Sequence, residues 1–291
     1  MKLTLGFSPC PNDTFIFDAL IHRKIDTGGI AFDVQYCDVE TLNEKAFRGE
    51  LDITKLSYHA FAYAVNDYEL LDAGSALGRG VGPLLIAKDP VLARELQELL
   101  ATARKPTDRE KNLKIGIPGK YTTANFLLGL AFPALQHKVA LVFSDIEQAL
   151  IDGVIDLGLI IHENRFTYEE KGLYKVVDLG DFWEQTTNSP IPLGGIVIKR
   201  GLDEQLKLTI NRLVRESVQF AFANPKSGLD YIRSHAQEME EAVMYKHVDL
   251  YVNTYSEHLG TEGRRAIQEM FDQAQARQLI PPTDKCLFLT P

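Results

Sequence analysis

The side chain in this sequence best placed to do chemistry is His162. It closes the mostly apolar run Val154–Ile161 and is followed directly by Glu163, Asn164 and Arg165. An unprotonated imidazole is a general base near neutral pH. The default reading of a lone histidine after a strand is a surface or hydrogen-bonded residue. His22, His137, His235, His247 and His258 take that default, because they lie in helical patterns or at their ends. His59 is expected to pack beneath Lys55-Leu56-Ser57-Tyr58. Spacing removes several other chemistries. His162-Glu163 has no second histidine at helical spacing, which excludes the His-Glu-x-x-His zinc pattern. No Gly-x-Ser-x-Gly elbow is present. The glycine-rich stretch Gly74–Gly82 fits neither the dinucleotide fingerprint nor a P-loop. No carboxylate cluster signals a dedicated metal cage. One imidazole remains, with hydroxyls, amides and at least one lysine around it. That set suits proton abstraction from a polar, anionic small molecule.

Several elements must position these groups. Val154–Ile161 is apolar enough for a strand covered on both faces, and His162 then falls at its carboxyl end, where open α/β sheets hold ligands. Leu3–Phe7 reads as a first strand. The loop Ser8–Thr14 follows it, with Asn12 or Asp13 able to cap a helix over Thr14–Arg23. Ile30–Cys37 and Leu51–Leu56 read as strands and Val39–Arg48 as an amphipathic helix. Leu113–Ile117, the turn Pro118–Thr123 and the helix Ala124–Leu135 repeat the strand, turn, helix order. The connection Lys105–Asn112 reads as charged surface. Phe182 and Trp183 fit a lid or a core equally well. From Asp203 onward the pattern is helical, over Asp203–Ala223, Pro225–Ala236, Glu238–Asn253 and Glu262–Ala276. A short internal echo, Gly49-Glu50-Leu51-Asp52 against Gly153-Val154-Ile155-Asp156, suggests two similar lobes whose strand tips face a shared cleft.

Composition bounds the partners. At 291 residues the chain can build two domains of ordinary size. Its 45% apolar and 24% charged content is that of a globular protein. A net charge of −9 argues against a nucleic-acid partner while leaving room for a small anionic substrate held by local amides. Cys10, Cys37 and Cys286 are few, odd in number and widely spaced, which fits a reducing cytoplasm. Neither a signal peptide nor a membrane-inserting helix is read, and oligomeric state is not legible.

Four ordered motifs together resemble the 1,4-dihydroxy-6-naphthoate synthase family of the futalosine route to menaquinone: Ser8–Phe15, Lys55–Tyr58, Gly119–Ala124 and Ile161–Tyr168. The resemblance covers nearly the whole chain. It implies an α/β fold like type II periplasmic binding proteins, with two lobes, two crossing segments and a cleft between the lobes. With the crossing segments at Pro83–Ala87 and Pro190–Lys199, residues 1–88 and 199–291 are expected to form one lobe and 89–198 the other. It implies a lyase that converts cyclic dehypoxanthinyl futalosine into 1,4-dihydroxy-6-naphthoate and dihydroxyacetone without a cofactor. The catalytic base falls on His162, and the substrate contacts fall on Lys55, Leu56, Ser57, Thr122 and Thr123, with Lys55 facing a substrate carboxylate. Two alternatives remain on the same fold: a non-catalytic binding protein for a small anion, and the related chorismate dehydratase. A regulatory effector domain is a third, although no helix-turn-helix or basic segment accompanies it.

Overall fold

The computed structural model describes residues 1–236 and 240–290. In chain order the first elements are β1 (Lys2–Phe7), α1 (Pro11–Ile21), β2 (Ala31–Tyr36), α2 (Val39–Phe47), β3 (Ile53–Ser57), α3 (Tyr58–Ala64), β4 (Tyr68–Leu70) and β5 (Ala76–Gly78). Next come β6 (Leu84–Ala87), α4 (Pro90–Thr102), α5 (Asp108–Lys111), β7 (Ile115–Ile117), α6 (Thr123–Ala131) and β8 (Lys138–Ala140). They are followed by α7 (Ile146–Ile151), β9 (Leu157–Ile160), a 3₁₀ turn His162–Phe166, β10 (Tyr174–Asp178) and α8 (Leu179–Thr187). The chain closes with β11 (Ile191–Lys199), α9 (Glu204–Ala223), α10 (Leu229–His235), α11 (Glu241–Tyr251), α12 (Thr254–Glu257) and α13 (Gly260–Ala276). The expected start of the third late helix at Glu238 lies outside the described residues.

These elements form two compact units, Met1–Gly78 with Pro192–Pro291 and Arg79–Ile191. The first contains a sheet of order β2-β1-β3-β11-β4, with β5 joined to β11. β1 runs parallel to β2 and β3, and β11 runs antiparallel to β3 and β4. The second contains the order β10-β6-β9-β7-β8, in which β7 is parallel to β8 and β9 while β6 is antiparallel to β9 and β10. The strands between residues 113 and 179 thus lie in a different sheet from β1. The expected lobe boundaries at 88 and 199 require correction. A strand belongs to the sheet that satisfies its backbone hydrogen bonds. β6 pairs with β9 and β10, and β11 pairs with β3 and β4, so the chain changes unit before each of these strands.

The core of the first unit is Leu5, Phe7, Phe17, Ile53, Ile196 and Val214 with their neighbours. Helix α1 is buried along its whole length from Pro11 to Leu20, since α9, α10 and α11 pack around it. An all-round buried helix must satisfy its polar side chains internally. Asp18 does so with His22 at 2.8 Å and Lys24 at 2.5 Å. In the second unit Leu84, Ile86, Ile146, Leu150, Ile155 and Ile160 form a core between α7 and the sheet. All four residues of β9 are buried, but the strand is shorter than the apolar run Val154–Ile161, and Val154 is exposed.

The internal echo has a structural counterpart at the amino ends of both sheets. Gly49 and Gly153 take left-handed φ values of +65° and +71° just after α2 and α7, the helix-stopping conformation that glycine adopts without penalty. Asp52 then accepts the Thr4 backbone N–H at 2.9 Å, and Asp156 accepts that of Lys114 at 2.7 Å. Each aspartate ties the start of one strand to its parallel neighbour. The repeated Gly-x-x-Asp is therefore strand registration, at the opposite end of the sheet from His162.

Candidate active site

Open α/β sheets bind ligands outside the carboxyl ends of strands, where successive connections leave in opposite directions. In the first sheet β1 has β2 on one side and β3 on the other, and in the second β7 is flanked likewise by β8 and β9. At the first such point stand Ser8, the start of α1, and the end of β3 with Lys55, Leu56 and Ser57. At the second stand Gly119–Thr123 and His162. Every residue singled out for substrate contact or catalysis lies at one of these two places.

In the first unit the site is a buried polar network. The Lys55 ammonium lies 2.6 Å from Asp13 Oδ1, with side-chain exposures of 9% and 2%. Asp13 also accepts the Ser8 backbone N–H at 3.2 Å and the Asn12 Nδ2 donor at 2.9 Å. The Asn12 amide oxygen in turn accepts from His247 Nε2 at 2.9 Å, which places the proton of that ring on Nε2. Two expectations change here. Asn12 and Asp13 do not cap α1: Pro11 occupies its first turn, Cys10 is the N-cap, and both polar side chains lie inside the helix. His247, expected at the surface, is fully buried on α11 because its helix face packs against α1. Lys55 enters the site already paired, so its charge is largely balanced before any substrate carboxylate arrives. Its ammonium still has two further donors.

Leu56 is buried and pairs through its backbone with Gly195 of β11. Ser57 sits at the N-cap of α3 without using its hydroxyl as the cap, while its N–H donates to Asn43 Oδ1 at 3.2 Å. The hydroxyl thus remains available to a ligand. Asn43, fully buried on α2, carried no sequence signal, since its role arises only when α2 packs against β3. His59 is buried and meets the Tyr63 ring edge-on at 5.6 Å, in agreement with a packing role.

In the second unit Thr122 is the N-cap of α6. Its hydroxyl accepts from the Asn125 N–H at 3.2 Å and donates to the Gly119 carbonyl at 2.9 Å. Its proton is therefore used by its own turn, and Thr122 shapes the helix start while its oxygen keeps one further acceptor position. Thr123 is buried at the first position of the helix. His162 is half-buried, with the Phe143 ring 4.9 Å away edge-on. Its φ is +59°, left-handed for a residue other than glycine. Such conformations cost of order 1 kcal/mol or more and persist where the surroundings impose them. No feature of the sequence announces it. Trp183, read as lid or core, is core: it is buried on α8 and its indole N–H donates to the Pro190 carbonyl at 3.3 Å.

Among the described residues no group of three or more His, Cys, Asp or Glu could hold a metal ion. Among the same residues no helix is long and apolar enough to cross a membrane.

Comparison with known proteins places this arrangement. The chain is 44% identical over 287 residues to a 1,4-dihydroxy-6-naphthoate synthase of Thermus thermophilus, covering 99% of each protein. It is 40% identical to a synthase of the same name from Streptomyces coelicolor, covering 96% and 95%. A crystal structure of an Archaeoglobus fulgidus protein superposes with a TM-score of 0.85 at 33% identity, over 96% of this chain and 98% of that one. The periplasmic aliphatic sulphonate binding protein of Escherichia coli follows the same fold, with a TM-score of 0.63 at 13% identity, over 97% and 89%. The architecture is thus the α/β fold of periplasmic binding proteins. With residues 3–276 matched by the model of the menaquinone biosynthesis family, the chain belongs to that family.

Proposed function

We propose that this chain is a 1,4-dihydroxy-6-naphthoate synthase: a carbon–carbon lyase that takes cyclic dehypoxanthinyl futalosine to 1,4-dihydroxy-6-naphthoate with release of dihydroxyacetone. The observation that carries the reading is the end-to-end similarity to the Thermus thermophilus synthase, at 44% identity. His162 is the base. A ring-opening elimination needs a proton taken from carbon, and an unprotonated imidazole at a strand's carboxyl end can take it. Lys55 and Ser57, with the Leu56 backbone, are substrate contacts. Thr122 and Thr123 are further substrate contacts, on the helix start that Thr122 shapes. In this reading the protein works in the cytoplasm, with a small anionic substrate as its partner.

The test incubates the purified protein with cyclic dehypoxanthinyl futalosine and follows both products by mass spectrometry. His162→Asn keeps approximate size but removes the base. It should lower turnover by ~10² to 10⁴ with substrate binding changed much less. Binding of substrate without any product, in the parent protein, would instead establish a binding protein. Near-parental turnover in His162→Asn would return His162 to an ordinary surface role.

A further inference from the structure

We propose that Arg165 and Glu147 are positioning residues that hold His162 in its left-handed conformation from two sides of its turn. The inference rests on the reading of His162 as the base. β9 ends at Ile160, so the sheet fixes the backbone only up to the residue before Ile161. Beyond it the chain enters the 3₁₀ turn His162–Phe166, and the positive φ of His162 is a conformation that its surroundings must impose.

Two side-chain anchors do this. Asn164 Nδ2 donates to Glu147 Oε2, and Lys171 Nζ donates to the same oxygen at 2.7 Å. Glu147 lies on α7, is buried, and leaves its Oε1 without a hydrogen-bond partner among the described residues. Its carboxylate is thus committed on one oxygen to the turn and its neighbour. On the other side, Arg165 Nη1 donates to the Gly82 carbonyl at 2.5 Å and Nη2 to Asp178 Oδ2 at 3.0 Å. Asp178 is buried, and its Oδ1 accepts the N–H groups of Gly180 at 2.8 Å and Asp181 at 3.3 Å at the start of α8.

The seat for the guanidinium exists because two glycines let main chains touch. A Cβ on Gly82 would lie 2.1 Å from the Gly180 nitrogen, and one on Gly180 would lie 2.8 Å from Gly82 Cα. The carbonyl of Gly82 and the carboxylate of Asp178 are held there as a rigid pair of acceptors, and a planar guanidinium matches two acceptors at once. Lysine has one nitrogen and cannot span them in the same way. Neither Arg165 nor Glu147 is assigned contact with the reacting atoms; both act through the backbone at His162.

Displacement of a base by about 1 Å can cost on the order of 100-fold in rate. Arg165→Met should therefore lower kcat by roughly 10- to 100-fold with KM changed less than about threefold. Arg165→Lys should recover only part of that loss. Glu147→Gln should stay close to the parent, because an amide oxygen can still accept from Asn164, whereas Glu147→Ala should behave like Arg165→Met. The decisive measurement repeats Arg165→Met in a His162→Gly background supplied with free imidazole. With no side chain left to orient, Arg165→Met should cause no further loss of the rescued rate. An equal loss in both backgrounds overturns the inference, as does parental kcat in a folded Arg165→Met protein. If His162→Gly itself keeps parental turnover without imidazole, the base assignment fails instead, so the two failures are distinct.

Discussion

Replacing Asp13 by asparagine tests the buried network of the first unit most directly. The change is nearly isosteric, so packing stays constant while the charge disappears. In the parent, Asp13 receives three donors, from Lys55 at 2.6 Å, Asn12 at 2.9 Å and the Ser8 backbone at 3.2 Å. Only an acceptor-only group can serve all three. An asparagine oxygen turned toward Lys55 and Asn12 sets its NH₂ against the Ser8 N–H, and the opposite flip sets it against the ammonium. The Lys55 charge, at 9% exposure, loses its counter-ion in either case. Breaking a buried pair in this way costs about 3–5 kcal/mol. The lower value, ~3 kcal/mol, is expected because Lys55 keeps slight access to water, and it corresponds to a fall of roughly 6–12 °C in Tm at ~2–4 °C per kcal/mol. Lys55→Met, which keeps the apolar stem and leaves Asp13 with two donors, should cost less. The double variant has no unpaired charge, so its loss should fall short of the sum of the single losses by at least ~1 kcal/mol. Denaturant unfolding followed by two spectroscopic probes is the assay, since a chain of two units need not unfold in one step. An Asp13→Asn protein within ~0.5 kcal/mol of the parent, or strict additivity in the double variant, would refute the account of Lys55 as a charge held by Asp13.

The other expectations are simpler. His162→Gly should be more stable than His162→Ala by about 1 kcal/mol, because only glycine accepts φ of +59° without strain; equal Tm values would show that the turn relaxes. Ser57→Ala should weaken substrate binding by about 1 kcal/mol, or up to ~3 if the hydroxyl meets a charged group, with Tm unchanged; unchanged affinity by calorimetry would remove Ser57 from the site. Glu110 is held down at about 2, below its ordinary 4.5, chiefly by its hydrogen bond from Arg104 and then by bonds from Thr107. Its folded pKa is lower than its unfolded one, so its contribution is fully present above about pH 4.5 and is lost as pH falls toward about 2. The stability difference between the parent and Glu110→Gln should therefore shrink across that window, and a constant difference would contradict it.

Much of this architecture is legible in local sequence, because it depends on interactions a few residues apart. Within the apolar run ending at Ile161, Leu157–Ile160 does form a fully buried strand, and the four late helical periodicities do form α9, α10, α11 and α13. Some local signals were readable but outweighed. Pro11 marks the first turn of α1, the position where proline fits best, and so places Asn12 and Asp13 inside the helix. Thr107 and Glu110 form a capping box that makes the short helix α5 within a stretch that reads as charged surface. Tertiary structure alone decided the rest. Lys55 meets Asp13 across 42 residues and His247 meets Asn12 across 235, and neither pair follows from spacing. The unit to which β6 and β11 belong depends on which strands complete their hydrogen bonds. The identity of His162 as a polar strand tip is local. Its left-handed backbone is not, because that conformation costs energy by itself and is set by Glu147, Gly82 and Asp178, which the fold brings to the turn from distant parts of the chain.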